Sequence, residues 1–174
     1  MDIVQTIIAY ASWYHGKKEK KGNSGWEDPK FEKEMKSAGW YMGAPWCAFF
    51  VLMVLKKVFI NEPKFFGPLT RQFNGSAKQT ADNVIAAGDF ETGDVPEEGC
   101  VVVWLLGHGP FGHVGIVKSI DFKSNTMYCI EGNTNGAGSR EGDQVNANKP
   151  RTIKRDFQPN GLNVYKYIYP RLKK

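Results

Sequence analysis

Residues 44–55 are the longest apolar run of the chain, and nothing else in the sequence constrains the fold as much. The run holds twelve residues, fewer than the roughly 20 needed to cross a bilayer. It is apolar nearly all the way round a helix rather than along one stripe. A helix of that kind must lie inside a domain, covered on every side. Pro45 suits the first turn of such a helix, so a central helix is expected from residue 46 to about residue 58. The remainder of the 174 residues has to supply the cover, and a chain of that length is expected to fold as one domain, residues 1–174, with a real core.

The periodicity says what the cover is made of. Residues 2–14 place Ile3, Ile7, Ile8 and Ala11 at helical spacing behind Asp2, a suitable N-cap. Residues 16–25 are charged and turn-rich, a surface loop. Short helices are expected over residues 31–36 and 77–87, with residues 61–80 otherwise read as loop because of Pro63, Gly67 and Pro68. After Gly99 the pattern changes to strands: residues 100–106 apolar on both faces, then 113–119, 126–131 and 163–169, with a polar loop over 133–149. Helices first and a mostly antiparallel sheet afterwards is an α+β order. No internal repeat is visible.

Charge and cysteine content exclude several functions. An apolar fraction of 41% and a charged fraction of 24% are those of an ordinary globular chain. The net charge is +5, from 23 basic and 18 acidic residues, but it is unevenly placed. From Lys149 onward there are eight basic residues and one acid. Such a stretch suits an anionic partner, such as the polymers of a bacterial envelope. Tyr165, Tyr167 and Tyr169 alternate there as in a strand, so a base-stacking surface and nucleic-acid binding are not expected. The start of the chain lacks the basic and apolar regions of a secretion signal, so synthesis in the cytoplasm without export by that route is expected. Cys47, Cys100 and Cys129 are too few for a disulfide scaffold, and the last two are expected to be buried free thiols. Three scattered histidines give no transition-metal spacing, and no glycine-rich loop opens a helix after a strand. No cofactor or metal is expected.

Cys47 stands in the first turn of the buried helix, where unpaired backbone N–H groups and the helix dipole favour a thiolate. A hairpin closing near Phe122 would set His113 opposite Glu131, Gly115 opposite Cys129 and Val117 opposite Met127, all on one face. Asn133 continues that face just beyond the strand. A nucleophile, a base and a carboxylate or amide that orients the base would thus converge.

These residues resemble the CHAP family of cysteine/histidine-dependent amidohydrolases and peptidases, relatives of the NlpC-type cell-wall peptidases. The resemblance rests on Trp46-Cys47-Ala48 with Phe50 and Val51, on Gly112-His113-Val114-Gly115-Ile116-Val117 beginning the strand 66 residues after Cys47, and on Ile130-Glu131-Gly132-Asn133-Thr134. It runs from about residue 11 to residue 151. It implies a papain-like α+β fold with the Cys helix on an antiparallel sheet. It implies Cys47 as nucleophile, His113 as general base, Glu131 as its orienter and Asn133 as an accessory polar group. The backbone N–H groups of Cys47 and Ala48 are the expected oxyanion donors, and Trp46, Tyr41 and His108 the expected substrate contacts. Some relatives hold calcium through acids just before the cysteine, but residues 37–46 contain none. The implied substrate is bacterial peptidoglycan, cut by amidase or endopeptidase action, as in a phage lysin working as a monomer. Two other enzymatic readings are an isopeptidase or acyltransferase on non-wall substrates and a secreted antibacterial effector amidase. An idle wall-binding module is a third, which the intact Cys47, His113 and Glu131 oppose.

Overall fold

In the computed structural model, which describes residues 2–134 and 142–174, the apolar run is the third of five helices that precede a sheet. The helices are α1 (Ile3–Trp13), α2 (Pro29–Ser37), α3 (Cys47–Val58), α4 (Pro63–Gln72) and α5 (Ala77–Ala87). The strands are β1 (Phe90–Gly93), β2 (Val101–Leu106), β3 (Gly112–Asp121), β4 (Thr126–Thr134), β5 (Gln144–Thr152) and β6 (Leu162–Leu172). They form one sheet in the order β1-β6-β2-β3-β4-β5, with every neighbour antiparallel. This is the α+β, papain-like arrangement of the CHAP resemblance.

All nine residues of α3 from Cys47 to Leu55 are buried, so each large side chain among them contributes about 1.5–3 kcal/mol of burial. The helix packs over β3 and β4. Gly132 makes the close approach possible, since a Cβ there would lie 2.6 Å from the Trp46 ring and 2.8 Å from Phe50 Cβ. Val101, Val103, Val114, Ile116, Ile130 and Ile168 face this helical layer. The alternate residues, among them Val102, Trp104, Val117, Met127 and Cys129, build a second apolar cluster on the other face.

Three segments differ from the sequence expectation. Residues 63–72 are helical rather than loop. Pro63 occupies the first turn, where its missing N–H costs nothing. Phe65, Leu69 and Phe73 recur at helical spacing, with Phe65 stacked on Phe59 and Leu69 and Phe73 buried, and this burial outweighs the interior Pro68. Of the loop expected over 133–149, residues 135–141 lie outside the described residues, but 144–152 form β5. Val145 and Ala147 alternate inward there, and Pro150 is tolerated because β5 is an edge strand. The segment after α1 covers that edge: Gly16 N–H donates to Val145 O, Val145 N–H to Lys17 O, and Ala147 N–H to His15 Nδ1. The third difference is β1, which no pattern had marked.

The hairpin register also departs from expectation, by two residues at the far end: Val117 pairs with Cys129 and Ile116 with Ile130. Next to the turn the pairs are Asp121 with Thr126, Ile120 with Met127 and Ser119 with Tyr128. Between the two registers sits a bulge at Lys118, which has no partner residue on β4. The turn is longer than a closure at Phe122 implies. Asp121 Oδ1 accepts from Lys123 N–H and Ser124 N–H, and Asn125 takes a left-handed conformation (φ 53°). If the turn register ran on unbroken, Glu131 would oppose Ile116 and face the helical layer. The bulge restores the even offset that leaves His113 and Glu131 on one face.

Candidate active site

Cys47 is the first residue of α3, and its N-cap, Trp46, supplies no side-chain cap to the first-turn N–H groups. His113, the second residue of β3, and Glu131 on β4 are both wholly buried. His113 Nε2 lies 2.8 Å from Glu131 Oε2. The other ring nitrogen, Nδ1, is buried with no hydrogen bond of full geometry, and Cys47 is the second neighbour whose charge acts on the imidazole. Two of the three groups picked out in the sequence are thus hydrogen-bonded, and the third, Cys47, lies near enough for its charge to act on the ring. Gly115 leaves the room they need: a Cβ there would sit 2.8 Å from Glu131 Cγ and 3.2 Å from Ile130 O.

The electrostatics favour an imidazolium. Burial alone would drive the proton off His113, but Glu131 and Cys47 together outweigh it and raise the pKa to about 9. Burial likewise opposes the Glu131 carboxylate. Hydrogen bonds from Arg151 and the charge of His113 reverse that and lower its pKa to about 2. These shifts set a stability window. The raised His113 pKa contributes stability that is complete below the unfolded value of 6.5 and lost as pH rises through about 9. The lowered Glu131 pKa contributes stability that is complete above 4.5 and lost as pH falls through about 2. Thermal melts from pH 3 to pH 10 should therefore show the wild type exceeding Glu131→Gln by its widest margin at about pH 4.5–6.5. A margin that does not narrow toward pH 9 would contradict the assignment.

Arg151 was missed in the sequence. Its Nε donates to Glu131 Oε1 at 2.7 Å and its Nη2 to Glu131 Oε2 at 2.6 Å, a two-pronged contact. It was counted with the basic C-terminal stretch, and only the unforeseen β5 brings it beside β4. Trp104, opposite His113 on β2, stacks on the imidazole at 5.7 Å and carries the Arg151 guanidinium over its ring at 5.2 Å. Other charges of that stretch are also matched: Lys166 pairs with Asp94, and Arg171 with Glu91 and Glu97. The basic face available to an anionic polymer is thus smaller than the sequence implied.

The remaining expected site residues are placed differently from one another. Asn133 is buried beside Glu131 in a left-handed conformation (φ 53°), and no hydrogen bond ties it to His113. Tyr41 is exposed and edges onto Phe49. His108 stacks on Phe157 at 4.4 Å. Phe157 lines a cavity of about 460 Å³ that also borders Trp104, Arg151, Lys154 and Tyr165. Trp46 corrects the expectation of a substrate contact: it is fully buried among Trp26, Phe31 and Phe50, and its Nε1–H donates to Glu19 Oε2 at 2.6 Å. Its packing anchors the start of α3 instead. Glu19 is pushed up to about 7, by burial and by Asp143, against the indole hydrogen bond. Cys100 and Cys129 are buried free thiols, with burial raising the pKa of each. Among the described residues no three His, Cys, Asp or Glu side chains gather as a metal site, and no helix is long and apolar enough to cross a membrane.

Comparison with known proteins bears on the family and on the fold. A family model for the CHAP domain matches residues 38–133, a little over half of the chain. A solved structure described as "The crystal structure of Ly7917" is similar in fold, with a TM-score of 0.53 and 18% sequence identity. The alignment covers 96% of this chain and 62% of that one, so this chain spans less than two thirds of that protein's length. No curated protein sequence matches it.

Proposed function

The chain belongs to the CHAP domain family and is a cysteine/histidine-dependent amidohydrolase or peptidase, and on that premise we propose that it hydrolyses an amide bond of bacterial peptidoglycan, in the manner of a lysin. The observation that carries the reading is the meeting of Cys47, His113 and Glu131, with the His113–Glu131 pair wholly buried at 2.8 Å and Cys47 at a helix N-terminus.

Chemistry follows from those placements. The Cys47 thiolate attacks the amide carbonyl while Glu131 holds the His113 imidazolium. The developing oxyanion is received by the Cys47 and Ala48 N–H groups of the first turn. His113 gives its proton to the departing amine as the C–N bond breaks, leaving a thioester on Cys47. Two of the influences that raise the His113 pKa come from Cys47, and both vanish on acylation. The imidazole then holds a proton less firmly, as its next task requires. It takes one from water, hydroxide adds to the thioester, and the carboxylic acid leaves as the thiol is regenerated.

Purified peptidoglycan tests the substrate. Incubation should release new amino groups in proportion to the loss of turbidity, with no new reducing sugar ends. Mass spectrometry of the products then locates the bond, at the muramic acid amide or within the peptides. Reducing ends without amino groups would overturn the reading. An inert wall alongside a cleaved isopeptide substrate would move the enzyme to non-wall amides.

A further inference from the structure

We infer that Arg151 is a positioning residue of this site: by gripping both Glu131 oxygens from β5, it fixes the carboxylate that orients His113. The inference rests on the proposed Cys47–His113–Glu131 relay and adds a fourth member that touches neither the nucleophile nor the base. Three observations carry it. The guanidinium occupies both carboxylate oxygens, at 2.7 Å and 2.6 Å, and one of these oxygens is also the His113 partner. Arg151 itself is mostly buried, with 11% of its side chain exposed, so this is an interior contact rather than a rim ion pair. Trp104 touches both ends of the chain, stacked on His113 and under the guanidinium, which ties base, acid and arginine to one aromatic platform.

The physical need is clear from the site. A wholly buried carboxylate is driven toward its neutral form, and a neutral Glu131 would no longer hold an imidazolium. Among the described residues, the groups that bear on Glu131 are few. His113 faces it from β3; Arg151 and Lys149 act from β5; Cys129 lies on its own strand; and Cys47 reaches it only through His113. Burial lowers the Lys149 pKa, and among the described residues Arg151 and His113 are the cations whose hydrogen bonds hold Glu131. Arg151 also fixes the carboxylate plane, because its planar fork admits one orientation of the two oxygens.

The test is the pH dependence of Cys47 alkylation by iodoacetamide, read by peptide mass spectrometry, with Cys100 and Cys129 as internal references and with kcat and KM on purified peptidoglycan. Arg151→Met should move the half-maximal alkylation pH upward by about one unit or more and lower kcat about tenfold or more, with KM within about twofold. Arg151→Lys keeps the charge and loses the fork, so its profile should move less while kcat still falls several-fold. In a Glu131→Gln background, Arg151→Met should shift the profile no further, because the arginine acts through that carboxylate. An unshifted profile in Arg151→Met overturns the inference even if its melting temperature falls, since that is what a purely structural arginine would give. Should Arg151→Met fail to fold, an Arg151→Lys enzyme with wild-type kcat overturns it. If wild-type Cys47 reacts no faster than Cys100 and Cys129, the relay itself fails; if it reacts faster and the Arg151 variants match it, only the role of Arg151 fails.

Discussion

Cys47→Ala is expected to lose at least three orders of magnitude of wall-hydrolysing activity while melting within a few degrees of the wild type. The sulfur is the only atom removed, and without it no thioester can form. The first-turn N–H groups and the substrate surface remain, so a trace of rate above that of water should persist. Folding should survive because alanine fits an apolar helix packed on all sides, and one buried sulfur is a small loss of volume. The substitution also reports on the base. Cys47 is one of the influences that hold the His113 proton, so the imidazole should titrate at lower pH in Cys47→Ala than in the wild type. NMR of the ring resonances across the pH range measures this. An enzyme that still clears peptidoglycan would leave another residue as nucleophile.

Deleting Ile130 should cost as much activity as removing His113, although its side chain lies in the helix-covered layer and not in the site. With Val117 still opposite Cys129, the loss sets Glu131 opposite Ile116 and turns its carboxylate into that apolar layer, away from His113 and Arg151. A buried charge stripped of its partners costs about 3–5 kcal/mol, so the deletion should lose both activity and stability. Deleting Lys118 is the control. It removes the extra residue of the bulge between Val117 and Ser119 but keeps Val117 opposite Cys129 and Ile116 opposite Ile130, so Glu131 still faces His113 and the loss should be far smaller. Comparable losses in both variants would mean that the length of the hairpin, not the facing of Glu131, is what matters.

Much of this site is legible in the sequence because its parts are local. The apolar run fixes α3 and puts Cys47 at its start, and alternation along β3 and β4 puts His113 and Glu131 on one face whenever the offset is even. That even offset survives a displaced register only because the bulge at Lys118 compensates for the longer turn, and no residue type announces a bulge. Arg151 was hidden for a different reason. It reaches Glu131 through β5, whose Asn, Lys and Pro content disguises a strand held by pairing with β4 and by the segment after α1. The helix at 63–72 was hidden by Pro68, a local signal that the burial of Leu69 and Phe73 overrides. Trp46 was misjudged because an aromatic beside a nucleophile looks the same in sequence whether it faces substrate or the core.

The most direct measurement is the site of reaction when the native protein meets a thiol reagent. Brief treatment with iodoacetamide at pH 7, followed by peptide mass spectrometry, should find Cys47 modified at least tenfold faster than Cys100 and Cys129, and His113→Ala should erase most of that advantage. Equal, slow labelling of all three thiols, or a Cys47 rate unchanged by His113→Ala, would contradict a thiolate held by that imidazole.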